Sequence, residues 1–201
     1  MSRMRLFLAG VGGQGTLTAT NLLSLTALDQ GVEVCSGEIH GMAQRGGIVE
    51  STLLLGGYAS PRITSGEADI LLGFEPLETL RALPYLRPGG LIISNSEPTY
   101  PVGVTTGQET YPEPEFIQSK CRDCSPACFF LPCKTLAAGA GTVRAANIVL
   151  LGALGASPES PFSLEALQTS VRRHLPEKIV ALNLEALELG FQKRRSQPGY
   201  L

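Results

Sequence analysis

An α/β fold, with a Rossmann-like and mainly parallel sheet flanked by helices and a β-hairpin insertion, follows from three observations. The apolar run from Met4 to Ala9 leads into Gly10-Val-Gly12-Gly13-Gln14-Gly15 and then into a helical pattern. That is the strand, glycine turn and helix start of a βαβ unit. Strand-length apolar runs recur at residues 68–74 and 91–94, separated by a segment that Pro76 opens as a helix. The last third of the chain carries helical periodicity.

Taken in order, residues 16–30 form the first helix and residues 32–35 a short strand. The next twelve, Ser36-Gly-Glu-Ile-His-Gly-Met-Ala-Gln-Arg-Gly-Gly47, are polar and glycine-rich and read as a long loop. Residues 48–55 read as a strand, Gly56-Gly57 as a tight turn, and residues 58–63 as a return strand whose Pro61 marks an edge. This pair is the hairpin insertion. Its successive Leu53, Leu54 and Leu55 would leave an apolar face for a partner, or for a second copy of the chain. The helix that starts at Pro76 ends before Pro88-Gly89-Gly90. Proline-rich residues 97–115 form a loop or short edge strand, and residues 129–131 a buried strand. Helices follow over 143–154, over 164–175 with Ser163 as N-cap, and over 177–192 behind Pro176. In the last, Ile179, Leu182, Leu184, Ala186, Leu187 and Leu189 form a broad apolar stripe. With no internal repeat or low-complexity linker, residues 1–201 read as one domain.

At 201 residues, 43% hydrophobic and 17% charged, the chain can bury a full core. A net charge of −2 and the lack of a long Lys/Arg run argue against nucleic acid or an anionic membrane as partner. Lys193-Arg194-Arg195 fits a helix end that complements the dipole. The first apolar segment has only a strand's length and no small-residue cleavage site, and no run reaches the roughly 18 residues of a membrane helix. The expected compartment is the cytoplasm. Five cysteines there are expected to be thiols or metal ligands rather than disulfides.

The turn of Gly10, Gly12, Gly13, Gln14 and Gly15 could present helix N–H groups to a phosphate, or only pack its βαβ unit. A dinucleotide site would end the second strand with an acid for the ribose. Here that strand ends in Cys35 and Ser36, so a conventional NAD-type site loses support. In the loop, Arg45 is a permanent planar cation suited to phosphate or carboxylate, and Gly46 and Gly47 allow close backbone approach. Glu38 and His40 could pair with each other or reach a partner's substrate, and with Arg45 they could equally form an ionic cluster that orders the loop.

The glycine turn, the loop Glu38-Ile-His-Gly-Met-Ala-Gln-Arg-Gly-Gly47, the segment Gly66-Glu-Ala-Asp-Ile-Leu-Leu-Gly-Phe-Glu-Pro-Leu-Glu78 and Arg144-Ala-Ala-Asn147 together resemble the gamma-type subunits of 2-oxoacid:ferredoxin oxidoreductases, from Arg5 to about Gln192. The resemblance is nearest to those acting on aryl 2-oxoacids. It implies a subunit of a complex that oxidatively decarboxylates the oxoacid, transfers the acyl group to coenzyme A as co-substrate and reduces ferredoxin. It also implies that thiamine diphosphate, magnesium and iron–sulfur clusters belong to a large partner chain. This chain shows neither a thiamine diphosphate G-D-G motif nor a ferredoxin cysteine run, and is expected to hold no tightly bound cofactor and to be inactive alone. On this resemblance Glu38, His40, Gln44, Arg45, Gly46 and Gly47 line a substrate or coenzyme A channel, in preference to the glycine turn.

Cys121, Cys124, Cys128 and Cys133 have the spacing C-x2-C-x3-C-x4-C, which four thiolates around zinc or an iron–sulfur cluster would tolerate. A redox disulfide such as Cys121 with Cys124, or unliganded thiols, fit it too, and the sequence reading takes no metal as its expectation. A small iron–sulfur carrier and a stand-alone nucleotide- or S-adenosylmethionine-binding protein are the alternatives to the subunit reading. Arg144 and Asn147 lie three apart on one helix face. They either tie that helix to a neighbouring loop or orient the glycine turn toward a partner or coenzyme A.

Overall fold

The computed structural model describes residues 3–40, 47–100, 102–108 and 110–197, with the backbone alone at residues 40, 102 and 103. Gln44, Arg45 and Gly46 and the side chain of His40 lie outside the described residues.

Six strands form one sheet: β1 (Met4–Val11), β2 (Val34–His40), β3 (Ile48–Leu55), β4 (Ala68–Gly73), β5 (Leu86–Asn95) and β6 (Cys128–Leu131), in the order β2-β3-β1-β4-β5-β6. Strands β1, β4, β5 and β6 are mutually parallel, and β3 runs antiparallel to both of its neighbours. The helices are α1 (Thr16–Asp29), α2 (Pro76–Ala82), α3 (Val102–Thr105), α4 (Pro114–Cys124), α5 (Cys133–Gly139), α6 (Ala146–Gly155), α7 (Leu164–His174) and α8 (Glu177–Arg195). One sheet face packs on α1, α5, α6, α7 and α8, the other on α2 and α4. The α/β sheet flanked by helices therefore stands as expected.

The hairpin is placed differently. Its antiparallel partner is β2, which runs on through Ser36 and Glu38 to His40 where the sequence suggested a loop, and residues 58–63 form no strand. Steric relief at Gly37 accounts for this, because a Cβ there would lie 2.8 Å from Pro61 Cβ, and the Thr52 hydroxyl donates to the Pro61 carbonyl at 2.7 Å. The proline segment thus lies across the sheet face instead of pairing along its edge. Leu53, Leu54 and Leu55 are also fully buried, not a partner face. Strand β3 is interior, so Leu53 and Leu55 meet the core under α1 and Leu54 the opposite core. Each such burial stabilises by about 1.5–3 kcal/mol.

Two further differences matter to the site. The helix behind Pro76 stops at Ala82, a 3-10 turn covers Leu83–Tyr85, and β5 already includes Pro88, Gly89 and Gly90. The region read as a proline-rich loop contains α3 and the start of α4, whose Pro114 occupies a first-turn position where the missing N–H costs nothing.

Helix α6 is apolar around its whole circumference and is buried from Asn147 to Leu154. Helix α8 meets it along a stripe of Asn183, Ala186, Leu187 and Gly190, one turn ahead of Arg194 over the Phe129 ring of β6, while Leu182, Leu184 and Leu189 are half-buried beside it. The contact is backbone on backbone. A Cβ at Gly152 would run into the Leu187 carbonyl, and one at Gly190 into the Val149 carbonyl. Gly152→Ala is therefore expected to destabilise by about 1–3 kcal/mol through overpacking, read as a lowered melting temperature. An unchanged melting temperature would contradict this close crossing.

Candidate functional site

The parallel strands β1, β4, β5 and β6 end at the same side of the sheet, and the chain reverses its direction of travel across the sheet between β1 and β4. Such a switch point opens a crevice at the carboxyl ends of strands. Here it has a volume of about 320 Å³ and is walled by Gly12, Gly13 and Gln14 after β1, Phe74 after β4, Asn95 and Thr99 after β5, Cys133 and Lys134 after β6, and Val143, Arg144, Ala146, Asn147 and Leu150 beneath.

Each wall is held by short-range chemistry. Gly13 and Gly15 take φ of 94° and 78°, the region that suits glycine. At Gly10 a Cβ would come within 2.9 Å of Gln14 Oε1, Phe74 Cβ and Thr16 Oγ1. The Gln14 amide closes the turn, accepting from the Val11 N–H at 2.9 Å and donating to Thr99 Oγ1 at 3.0 Å. Asn147, 6% exposed, donates from Nδ2 to the Gly15 carbonyl at 3.2 Å and accepts on Oδ1 from the Ile148 N–H. No room remains for a side chain at Gly15, whose Cβ would be 2.6 Å from Asn147 Nδ2. The first turn of α1 has no side-chain cap and no acidic residue, so its positive end remains available.

Across the crevice, Asn95 Oδ1 accepts from the Glu97 and Cys133 N–H groups, and its Nδ2 donates to the Phe74 and Glu97 carbonyls. Glu97 in turn accepts from the N–H groups of Lys134 and Thr135 at the start of α5, at 2.6 and 3.0 Å. Lys134 Nζ donates to the Pro98 carbonyl and to Thr99 Oγ1, at 2.6 and 2.8 Å. Behind them Glu75, 1% exposed, accepts from the Glu78 N–H as N-cap of α2, from the Thr99 N–H and from the Tyr111 hydroxyl. Burial and the hydrogen bond to Glu75 push the Tyr111 phenol well up, so it stays a donor. Burial, helped by the Glu97 charge, pushes the Cys133 thiol up as well.

Gly12, Gly13, Gln14, Arg144 and Asn147 thus meet at one crevice, with Gly10 and Gly15 shaping its turn. From the long loop, Gly47 joins them by accepting the Gly12 N–H at 2.9 Å. Glu38 lies instead in a neighbouring groove between β2 and residues 61–65. Sequence reading missed Asn95, Glu97, Thr99, Lys134 and the internal role of Glu75. Only Glu75 had a signal, as the residue before a helix-opening proline.

The cysteines do not converge. Cys121 and Cys128 touch on the α4 side of the sheet, Cys133 lies in the core on the other side, and Cys124 is exposed. Their contact lowers the Cys121 thiol and raises that of Cys128. Among the described residues no group of three or more His, Cys, Asp or Glu side chains is arranged for a metal ion, and all five cysteines are free thiols.

Two tests follow. Asn147→Ala, which strands the Gly15 carbonyl, should lower stability by about 1–3 kcal/mol; unaltered thermal unfolding would contradict the anchoring role. Brief alkylation of native protein, mapped by mass spectrometry, should modify Cys124 well before Cys133, because the thiolate is the reactive form and burial keeps Cys133 neutral. Cys133 reacting first would refute its placement.

A family model for pyruvate ferredoxin/flavodoxin oxidoreductase matches residues 5–193. The chain is 40% identical over 192 residues to the indolepyruvate oxidoreductase subunit IorB of Pyrococcus horikoshii, covering 94% of this chain and 95% of that one. It is 37% identical over 191 residues to the subunit of the same name from Archaeoglobus fulgidus, covering 95% of each. Among solved structures, the keto/oxoacid ferredoxin oxidoreductase gamma subunit of Geobacter sulfurreducens shares the fold with a TM-score of 0.69 at 23% identity, over 96% of this chain and 99% of that one. A 2-oxoglutarate:ferredoxin oxidoreductase from Magnetococcus marinus, with 2-oxoglutarate, coenzyme A and succinyl-CoA bound, contains the same fold in 32% of its chain, matching 98% of this one with a TM-score of 0.68 at 18% identity. With the family model spanning nearly its whole length, the chain belongs to the pyruvate ferredoxin/flavodoxin oxidoreductase family.

Proposed function

We propose that this chain is the small subunit of a cytoplasmic indolepyruvate-type 2-oxoacid:ferredoxin oxidoreductase, a single domain that contributes the coenzyme A side of a site shared with a large chain. In that reaction the oxoacid loses carbon dioxide, its acyl carbon passes to the coenzyme A thiol, and the electrons pass to ferredoxin. Near-full-length similarity to curated indolepyruvate oxidoreductase subunits supports the substrate class. The geometric observation that carries the coenzyme assignment is the crevice itself, where an uncapped helix N-terminus, Lys134 and Arg144 surround one cavity. Backbone N–H groups and two cations suit the phosphates of coenzyme A. Its one thiol, Cys133, is held neutral. The crevice therefore binds and orients.

Thiamine diphosphate, magnesium and iron–sulfur clusters belong on this reading to the large chain, consistent with cysteines here that lie on opposite sheet faces. Gly47, which follows Gln44, Arg45 and Gly46 in the chain, is fastened to the glycine turn by accepting the Gly12 N–H. On this reading the glycine turn, to which Gly47 is tied, takes part in the coenzyme site, where the sequence alone favours the loop. No helix among the described residues is long and apolar enough to cross a membrane.

The test is steady-state kinetics of the reassembled two-chain enzyme. Lys134→Ala and Arg144→Ala are each expected to raise the KM for coenzyme A about ten- to a hundredfold, the loss of a charge-assisted contact worth roughly 1.5–3 kcal/mol, while the KM for the oxoacid stays near wild type. Unchanged coenzyme A kinetics in both variants would contradict the assignment. So would a small chain that does not associate with its large chain.

A further inference from the structure

The sheet face opposite α1 is covered unevenly. Helix α2 crosses β1 and β4, and Pro61 covers the row Phe7, Thr52 and Gly37. In the next row Ala9, Glu50 and Ile39 stand side by side on β1, β3 and β2. Ile39 is 68% exposed there, and Ile48, beyond it on β3, is 41% exposed. Glu50 and Ile39, with Phe7, Gly37 and Thr52 beside them, form the floor of a groove of about 600 Å³ walled by residues 61–65 and by Tyr85, which stacks on Phe7 at 4.2 Å.

Glu50 is half-buried on that floor, and none of the described residues offers it a hydrogen bond or a cation within pairing distance. Its electrostatic neighbour is another carboxylate, Glu78, and burial raises its own carboxyl. A carboxylate that is partly desolvated, without a compensating partner among the described residues and flanked by exposed isoleucines, is poorly accommodated by the groove alone. A lysine or arginine placed over it beside an apolar side chain would satisfy both features at once. The groove opens at β2, the edge strand of the sheet, so an extended segment can reach it.

We propose that this groove is a docking site for a segment of the large partner chain, which seats an apolar side chain between Ile39 and Tyr85 and pairs a Lys or Arg with Glu50. The inference rests on the subunit role proposed above and locates the contact away from the coenzyme crevice.

The experiment measures affinity between the small and large chains by sedimentation or surface capture, for wild type, Glu50→Lys, Ile39→Asp and the remote surface control Glu159→Lys. Glu50→Lys and Ile39→Asp should each weaken association about tenfold or more, with circular dichroism and melting temperature like wild type, while Glu159→Lys binds normally. Wild-type affinity in both groove variants would overturn the proposal. If the isolated chain forms a dimer that Glu50→Lys abolishes while large-chain binding is kept, the occupant is a second copy and the proposal falls. If Glu50→Lys fails to fold, Ile39→Asp and Glu50→Gln decide by the same measurement. Failure of the wild-type chain to bind any large chain would instead remove the subunit reading, and the groove's assignment with it.

Discussion

The backbone contact between α6 and α8 governs where everything else at the site can be. Gly152 and Gly190 let each helix press against the other's carbonyls, at Leu187 and Val149, and this fixes the height of α6 beneath the sheet's carboxyl ends. Asn147, in the first turn of α6, then arrives where its amide meets the Gly15 carbonyl. The glycine turn is consequently shaped from two sides. Its own Gln14 closes it from above, and α6, placed by a contact five residues further along that helix, supports it from below.

The opposite wall depends on hydrogen-bonded carboxylates and an amide rather than on apolar packing. Glu75, Asn95 and Glu97 each accept from two or more backbone N–H groups or hydroxyls, and together they join the ends of β4, β5 and β6 to the start of α5. Buried polar groups satisfied in this way specify one arrangement, because any other leaves a donor or acceptor unpaired at a cost. Thr99 is the junction, receiving Gln14 from one wall and Lys134 from the other. A cation at the mouth of the crevice is thereby held in register with the glycine turn.

Local signals in the sequence carried much of this. The run into Gly10–Gly15, Pro76 at the start of a helix and Ser163 as N-cap are determined by neighbours a few residues away, and all three appear where expected. The long-range partnerships were not legible. That β2 continues to His40 depends on Gly37 accommodating Pro61, 24 positions away, and that Leu53–Leu55 are buried depends on β3 lying between β2 and β1. The same holds for the site, since Asn147 was visible as a polar residue in an apolar helix, but its partner is 132 residues distant. Lys134 follows a strand of only four residues and carries no motif. The cysteine spacing misled for a related reason, as spacing along the chain says nothing about which side of a sheet a residue faces.

Coenzyme A is proposed to enter the crevice at the glycine turn in the assembled enzyme. Hydrogen–deuterium exchange of the two-chain complex, with and without coenzyme A, addresses it most directly. Coenzyme A is expected to slow exchange in peptides covering residues 10–18 and 133–147 and to leave α7 unchanged. Exchange unaltered in both segments, in a complex that turns over with coenzyme A, would contradict it.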